Sequence, residues 1–265
     1  MSAALVADYD EPAQRPTPYL SHSRVSRYLL CPEQYRLYYV ENLRPKLTAA
    51  ALVFGKVMHE ALAKFFRNQE DPSWTFRALW QDVSRIDLSY NSRESWEKLN
   101  ASGQALFGKF IREEASRIGN IRGCEQTFEL TVTNLELPFV GVIDLLADVD
   151  EVSTVVDFKT SASAYEDHEV ILSDQLRAYQ LAEPQAAQTA YCVFVKTKEP
   201  RIEWHRSERS GPRLTEFLAK VEYVGREITA GRFYKRSGKW CSWCDYLPVC
   251  TGDAATARET LIQIG

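Results

Sequence analysis

The 265-residue sequence lacks long apolar runs, and this absence limits what the protein can be. No stretch reaches the roughly 18 to 20 consecutive apolar residues that a transmembrane helix needs. The first residues are acidic and contain proline, which is not the basic and then apolar order of a secretory signal. We therefore expect a cytoplasmic protein that makes no use of a membrane.

The sequence also lacks a large excess of charge of either sign. It has 32 Lys or Arg and 36 Asp or Glu, a formal net charge of −4. This balance argues against a generic polyanion binder, but it leaves room for a local basic groove because a docked ligand responds to the local field. With 45% hydrophobic residues and no internal repeat, the chain is typical of a globular protein of one elaborated domain or two closely packed ones.

Hydrophobic periodicity predicts a helical N-terminal region followed by an α/β core. Residues 1–20 are predicted to be a flexible leader, and Ser23 to cap the first helix. Predicted helices cover residues 23–30, 33–40, 52–67, 72–87, 94–118, 174–182 and 214–230. Predicted strands cover residues 127–133, 139–149, 154–158, 190–196 and 202–205. This divides the chain into a helical region (21–120), a core of order β-β-β-α-β-β-α (121–235) and a cysteine-containing tail (236–265).

Charged side chains interrupt two of the apolar strands of the core. Asp144 stands in the run Gly-Val-Ile-Asp-Leu-Leu, and Asp157 and Lys159 flank Phe158. Because side chains alternate along a strand, Asp157 and Lys159 point to the same face. A buried, unpaired carboxylate costs several kcal/mol, so these residues predict either an ion-pair network or a divalent cation.

The cation interpretation defines a chemistry. Asp144, Asp157 and the backbone carbonyl of Phe158 would supply hard oxygen ligands for Mg²⁺ or Mn²⁺, and the ion would lower the pKa of a water molecule and stabilise charge on a phosphoryl oxygen. Lys159 would orient the water and neutralise the transition state. In the alternative interpretation, Asp144 caps a turn and Asp157 simply pairs with Lys159 at a strand end.

Four motifs follow one another along the chain: Phe54-Gly-Lys-Val-Met-His59-Glu, Asp144, Asp157-Phe-Lys159 and Gln175-Leu-Arg-Ala-Tyr179. Their order resembles the PD-(D/E)xK nuclease superfamily, in particular its RecB-like exonuclease branch, over residues 21–250. The resemblance implies a restriction-endonuclease-like α/β fold, in which helices flank a central mixed sheet. The metal ligands it implies are His59, Asp144, Asp157 and the Phe158 carbonyl, and the catalytic residues it implies are Asp144, Asp157, Lys159, Gln175 and Tyr179.

The resemblance also gives more specific expectations for three polar residues. Gln175 and Tyr179 are four residues apart and so share one helical face, and they are expected to contact the DNA backbone near the scissile phosphate. Glu125, just before the first predicted strand, corresponds to an acidic position in some relatives.

Six cysteines in an intracellular protein are better interpreted as ligands or buried thiols than as disulfides. Cys241, Cys244 and Cys250 form a Cys-x2-Cys-x5-Cys array, and Cys31 is the candidate for a fourth ligand. One distant and three close cysteines suit an iron-sulfur cluster somewhat better than zinc, and the spacing alone leaves both open. Two others, Cys124 and Cys192, are predicted to be small buried hydrophobes.

The family resemblance extends to these cysteines. AddB-type and CRISPR-associated nucleases carry a [4Fe-4S] cluster held by one N-terminal and three C-terminal cysteines, which implies the same cluster here. Its expected role is structural, since it would close a loop of more than 200 residues.

The strongest basic segment lies between residues 196 and 239, with 12 Lys or Arg against six Glu and no Asp. Positive side chains there could bind phosphates, and an exposed tryptophan could stack on an unpaired base. The predicted DNA-binding residues are Arg232, Lys235, Arg236, Lys239 and Trp243. The alternative is a solvated basic surface with tryptophan packed around the cysteines.

Three functions follow from these patterns. The first is a metal-dependent deoxyribonuclease, an exonuclease on single-stranded DNA or duplex ends, with a [4Fe-4S] cluster as a staple. The second is a nuclease-derived DNA-binding or assembly subunit of a recombination or CRISPR spacer-acquisition complex. The third is a zinc-stapled interaction domain without catalysis. Expected partners are DNA, a helicase or CRISPR adaptation proteins, and further copies of the chain.

Overall fold

The structure, a computed structural model, describes residues 18–264. Residues 1–17, which form most of the predicted leader, lie outside the described residues. Tyr19 and Leu20 are already buried, and Leu20 forms a β-bridge with Phe139. The folded structure therefore begins before Ser21, because these two apolar side chains belong to the core.

The N-terminal region consists of three long helices, shorter helical segments and three short strands. Its elements are α1 (His22–Leu30), α2 (Pro32–Tyr35), a π-helical segment (Arg36–Val40), β1 (Leu43–Pro45), β2 (Thr48–Ala49), α3 (Ala50–Asn68), α4 (Pro72–Val83), β3 (Leu88–Ser89) and α5 (Trp96–Glu113). The cap of α1 is Ser21 and not Ser23, since the Ser21 hydroxyl accepts a hydrogen bond from the backbone N–H of Arg24 at 3.3 Å.

The central sheet and its helices follow. Their elements are β4 (Ile118–Leu130), β5 (Phe139–Val149), β6 (Val152–Ser161), α6 (Asp167–Ile171), α7 (Asp174–Ala182), β7 (Gln188–Val195), β8 (Arg201–Ser207) and α8 (Gly211–Thr229). The strands lie in the order β4-β5-β6-β7-β8, with β6 and β7 parallel and the other pairs antiparallel. The predicted α/β fold with a mixed sheet flanked by helices is confirmed, with α6 as an additional short helix.

The first strand of the sheet is longer than the prediction. The helix predicted over 94–118 ends at Glu113, and a 3-10 turn at Ala115–Arg117 leads directly into β4. The first residues of β4 pair with the second half of β5, as Ile118 does with Val149. Backbone pairing of Ile118 with the buried Val149 in β5 thus overrides the helical periodicity at the end of the predicted helix.

Apolar side chains cover both faces of the sheet. On one face, Val156 and Phe158 pack with α3, α4 and α5, and on the other Val155 and Val193 pack with α7. Near the start of β5, Phe139 joins a third cluster with α1 and α8. The predicted helical region therefore shares its core with the sheet.

The C-terminal segment returns to the N-terminal helices. It contains a 3-10 turn (Lys239–Trp243), α9 (Leu247–Thr251), α10 (Ala254–Thr260) and β9 (Leu261–Gln263), and β9 pairs antiparallel with β1. Within residues 18–264, no helix has both the length and the apolar character required to cross a lipid bilayer.

Candidate active site and cysteine cluster

The two aspartates singled out by the sequence lie where β5 and β6 separate. Asp144 and Asp157 lie one position beyond the last pair of this ladder, Leu145 with Val156. The Phe158 N–H donates to Asp144 Oδ2 at 2.7 Å, so a carboxylate satisfies a backbone donor that the ladder no longer pairs. Both aspartates are buried, which places two acids in a fork between strands.

The ladder between β4 and β5 is irregular at the position of Asp144. Leu145 belongs to the core next to α3, whereas Ile143 belongs to the core next to α7, so side-chain alternation breaks at Asp144. Glu125 lies opposite, since its two neighbours in β4 pair with Leu145 and Ile143. It has a φ of 52°, which is rare for a glutamate inside a strand. Glu125 is thus within β4 and not before it.

A histidine from α3 completes one half of the site. His59 Nδ1 lies 3.3 Å from Asp144 Oδ2, and its side chain is 11% exposed. One ligand atom each from His59, Glu125 and Asp144 lie within 4.8 Å of one another. Burial disfavours the charged imidazole, but the Asp144 carboxylate outweighs burial and raises the pKa of His59.

The other half of the site is a closed ring of polar contacts around Asp157. Asp157 Oδ2 lies 2.8 Å from Lys159 Nζ, and Lys159 donates to Gln175 Oε1 at 2.8 Å. Gln175 Nε2 donates to the Tyr179 hydroxyl at 2.9 Å, and that hydroxyl donates to Asp157 Oδ1 at 2.8 Å. The ring fixes the positions of the carboxylate and the ammonium relative to each other.

Burial dominates the electrostatics of Asp157. The side chain is 1% exposed, and burial raises its pKa to about 6. The Asp144 carboxylate adds to the increase, while Lys159 opposes it by attraction. Asp157 is therefore an acid whose ionised form is disfavoured by its surroundings and would be stabilised by a further positive charge.

The structure shows which protein groups Gln175 and Tyr179 contact. They share one face of α7, as predicted, but their side chains are 7% and 2% exposed and their contacts run to Lys159 and Asp157. In this arrangement they position the charged groups. A direct contact with the DNA backbone stays a prediction.

Comparison with known proteins gives this geometry a family. A family model described as the PD-(D/E)XK nuclease superfamily matches residues 19–251. The chain belongs to the PD-(D/E)XK nuclease superfamily. The superfamily uses divalent metals, and the His59, Glu125 and Asp144 group offers one nitrogen and two carboxylate donors for such an ion. Comparison with curated proteins finds none that is significantly similar in sequence.

One solved structure shares the fold of this PD-(D/E)XK chain. A crystal structure of a candidate exonuclease from Eubacterium rectale superposes with a TM-score of 0.57 at 13% identity, covering 86% of this chain and 87% of that one. A second crystal structure, of SSO0001, superposes with a TM-score of 0.41 at 14% identity, covering 90% of this chain and 88% of that one. At such identities, the first likeness concerns the fold alone.

The PD-(D/E)XK chain also brings its distant cysteine to its C-terminal segment. Gln34, three residues after Cys31, donates to Cys244 Sγ at 3.5 Å, and the backbone N–H of Glu33 donates to the Tyr234 carbonyl at 3.1 Å. Burial raises the pKa of Cys250, and the neighbouring thiols of Cys244 and Cys31 add to the effect. Cys31, Cys244 and Cys250 therefore lie near one another, and Cys241 begins the same turn as Cys244, since its carbonyl accepts from the Cys244 N–H at 3.2 Å.

The two remaining cysteines differ in burial. Cys192 is fully buried in β7, as predicted, and Cys124 in β4 is only half-buried.

All five predicted DNA-binding residues are exposed, with Trp243 at 69%. Some of them also make local contacts: Arg232 pairs with Glu227 at 2.6 Å, and Lys235 donates to the Cys250 carbonyl at 3.0 Å. Lys196, at the start of the basic segment, is instead partly buried over Phe54 and lies 3.7 Å from a Glu94 oxygen, so it does not belong to this surface.

The metal ligands predicted from the sequence do not include Glu125. The usable signal was its position in the strand before Asp144, because antiparallel neighbours joined by a short connection meet across the ladder. The proposed start of that strand at residue 127 hid this pairing.

Proposed function

We propose that the protein is a metal-dependent deoxyribonuclease, an exonuclease on single-stranded DNA or DNA ends. The observation that carries this proposal is the fork between β5 and β6, where Asp144, Asp157 and Lys159 meet in a buried setting. A purely structural ion pair needs one acid for one lysine. The second buried acid fits a site that receives a cation and a phosphate.

The donor set fits a divalent cation. Asp157 Oδ2 is buried and makes no hydrogen bond, although it lies within ion-pair distance of Lys159. The N–H of Phe158 points to Asp144, and since the N–H and C=O of a strand residue point to the same side, the Phe158 carbonyl is also directed into the fork. His59, Asp144, Asp157 and that carbonyl would hold Mg²⁺ or Mn²⁺. The ion would supply Lewis acidity toward a phosphoryl oxygen and a more acidic water.

The chain's own residues prepare the site for phosphate. Lys159 is 24% exposed, so its ammonium can reach both Asp157 and an incoming anion. Gln175 holds Lys159 by a partly buried hydrogen bond and Tyr179 holds Asp157 by a buried one, which limits the rearrangement needed when charge develops on the phosphate.

We propose that Cys31, Cys241, Cys244 and Cys250 hold a [4Fe-4S] cluster. The arrangement of one distant and three close cysteines in the sequence suits a cubane somewhat better than a single zinc ion. Zinc is the alternative, to be separated by colour and metal content of an anaerobic preparation.

The exposed basic residues next to the cysteines support a path for a DNA strand. Trp243 and Tyr234 are 69% and 61% exposed, and Lys239 and Arg236 flank them in sequence. Exposed aromatic rings among cations are the usual elements of a surface that binds single strands. A helicase or CRISPR adaptation partner, self-association and a cytoplasmic location stay predictions.

The decisive experiment is an end-labelled digestion series with single-stranded and duplex DNA in Mg²⁺ and in Mn²⁺. We expect progressive shortening from ends by the native protein, and no degradation by Asp157→Ala or Lys159→Ala, with folding and visible absorbance retained. Lys64→Ala is the matched control, since Lys64 lies on the surface of α3. Full activity in either active-site variant would refute the assignment. Tight binding without degradation by the native protein would instead favour the DNA-binding subunit.

A further inference from the structure

We propose that Glu125 is a side-chain ligand of the divalent cation, together with His59 and Asp144. This inference rests on the proposed nuclease function and extends its ligand set by one residue. It changes the composition of the site from two carboxylates to three, one from each of the strands β4, β5 and β6.

Convergence of three different elements supports this assignment. His59 comes from α3, Asp144 from β5 and Glu125 from β4, and one donor atom of each lies within 4.8 Å of the other two. Among residues 18–264, this is the one group of three or more His, Cys, Asp or Glu side chains that meets this spacing. A mixed set of imidazole nitrogen and carboxylate oxygen suits Mn²⁺ and other first-row divalent ions.

Asp144 is a buried carboxylate next to the histidine. Its side chain is 5% exposed, and Oδ2 accepts the Phe158 N–H and lies near His59 Nδ1. A buried carboxylate needs a positive partner, because an uncompensated buried charge is costly.

Charge balance leads to the same assignment. Glu125, Asp144 and Asp157 carry three negative charges, and Lys159 carries one positive charge. One divalent cation, with His59 as a neutral ligand, would offset negative charge on these carboxylates. Like charges directly opposite on neighbouring strands are destabilising, and the Glu125 and Asp144 pair is of this kind. A shared cation turns this repulsion into attraction.

The test measures metal binding without reference to activity. The metal-depleted full chain is titrated with Mn²⁺, and free Mn²⁺ is followed by its electron paramagnetic resonance signal. We expect Glu125→Gln to raise the Mn²⁺ dissociation constant at least about tenfold, which is about 1.4 kcal/mol. Glu129→Gln, which removes the same charge from an exposed position four residues later in β4, should change it less than about twofold.

Two further variants make the outcome decisive. Glu125→Asp keeps the charge and should retain more affinity than Glu125→Gln, whereas equal losses would indicate a structural effect and overturn the inference. Native-like Mn²⁺ binding by Glu125→Gln would also overturn it. Asp144→Asn separates the two proposals: if it abolishes binding while Glu125→Gln does not, only the role of Glu125 fails. If neither variant affects binding, the proposed metal-dependent function fails as well.

Discussion

Replacing Asp157 by asparagine should make the metal-free protein more stable while removing its activity. The buried Asp157 carboxyl has a pKa of about 6, compared with an ordinary value of 3.8. Because the folded state favours the neutral acid, ionisation of Asp157 lowers the free energy of unfolding at pH values above both pKa values. The difference corresponds to about 3 kcal/mol, a large part of the 5–15 kcal/mol that holds a typical domain together.

The pH dependence gives the sign of the effect. Near pH 4 the native Asp157 is protonated when folded, so Asp157→Asn should have little effect on stability there. As the pH rises through about 6, the native protein loses the contribution of the neutral acid, whereas the asparagine variant does not. The stability advantage of the variant should therefore grow between about pH 4 and pH 7 and then level off.

Urea unfolding in the presence of EDTA, repeated from pH 4 to pH 8, measures this advantage directly. Asp174→Asn is a matched control, since Asp174 forms a partly exposed ion pair with Lys220 and its loss should cost at most about 1 kcal/mol at every pH. A variant that is less stable than the native protein at pH 8, or an advantage that does not vary with pH, would refute the reasoning. Added Mn²⁺ at about 100 times its Kd should return about 2.7 kcal/mol to the native protein and less to Asp157→Asn.

Three other substitutions test separate parts of the site. Tyr179→Phe removes the hydroxyl between Asp157 and Gln175, so it should cost about 1–3 kcal/mol in urea unfolding and lower kcat with little change in KM for DNA. His59→Asn replaces the nitrogen donor, and the ratio of Mn²⁺-dependent to Mg²⁺-dependent cleavage should fall. Cys244→Ser should remove the visible absorption of an anaerobic preparation, whereas the buried Cys192→Ser should retain it.

The parts of the site that sequence could predict are those that break a local pattern. Asp144 and Asp157 stand out because each places a charge in an apolar strand, and burial of both is what makes them conspicuous. The three C-terminal cysteines stand out by spacing. In each case the immediate neighbours in the sequence are enough to show that the residue is unusual.

The parts that sequence could not give depend on strand register. Glu125 lies in a polar segment between the predicted helix (94–118) and the first predicted strand (127–133), and only pairing with β5 places it opposite Asp144. Likewise, a Gln-x-x-x-Tyr pattern is common on helix surfaces, and only the packing of α7 against the sheet buries Gln175 and Tyr179. Tertiary contacts that overrule local propensity are the general cause of such errors.

The same contacts explain how the fold tolerates its acidic fork. The β5 and β6 ladder stops one residue before each aspartate, so the sheet gives up backbone pairs there. Phe158 compensates, because its side chain packs among Phe66, Phe110 and Phe194 next to α3 and α5 while its N–H is held by Asp144. The aromatic core fixes the backbone from one face of β6, and the carboxylates and Lys159 occupy the site beside it. Rigid packing on one face thus holds mutually repelling charges close enough for a cation to bind between them.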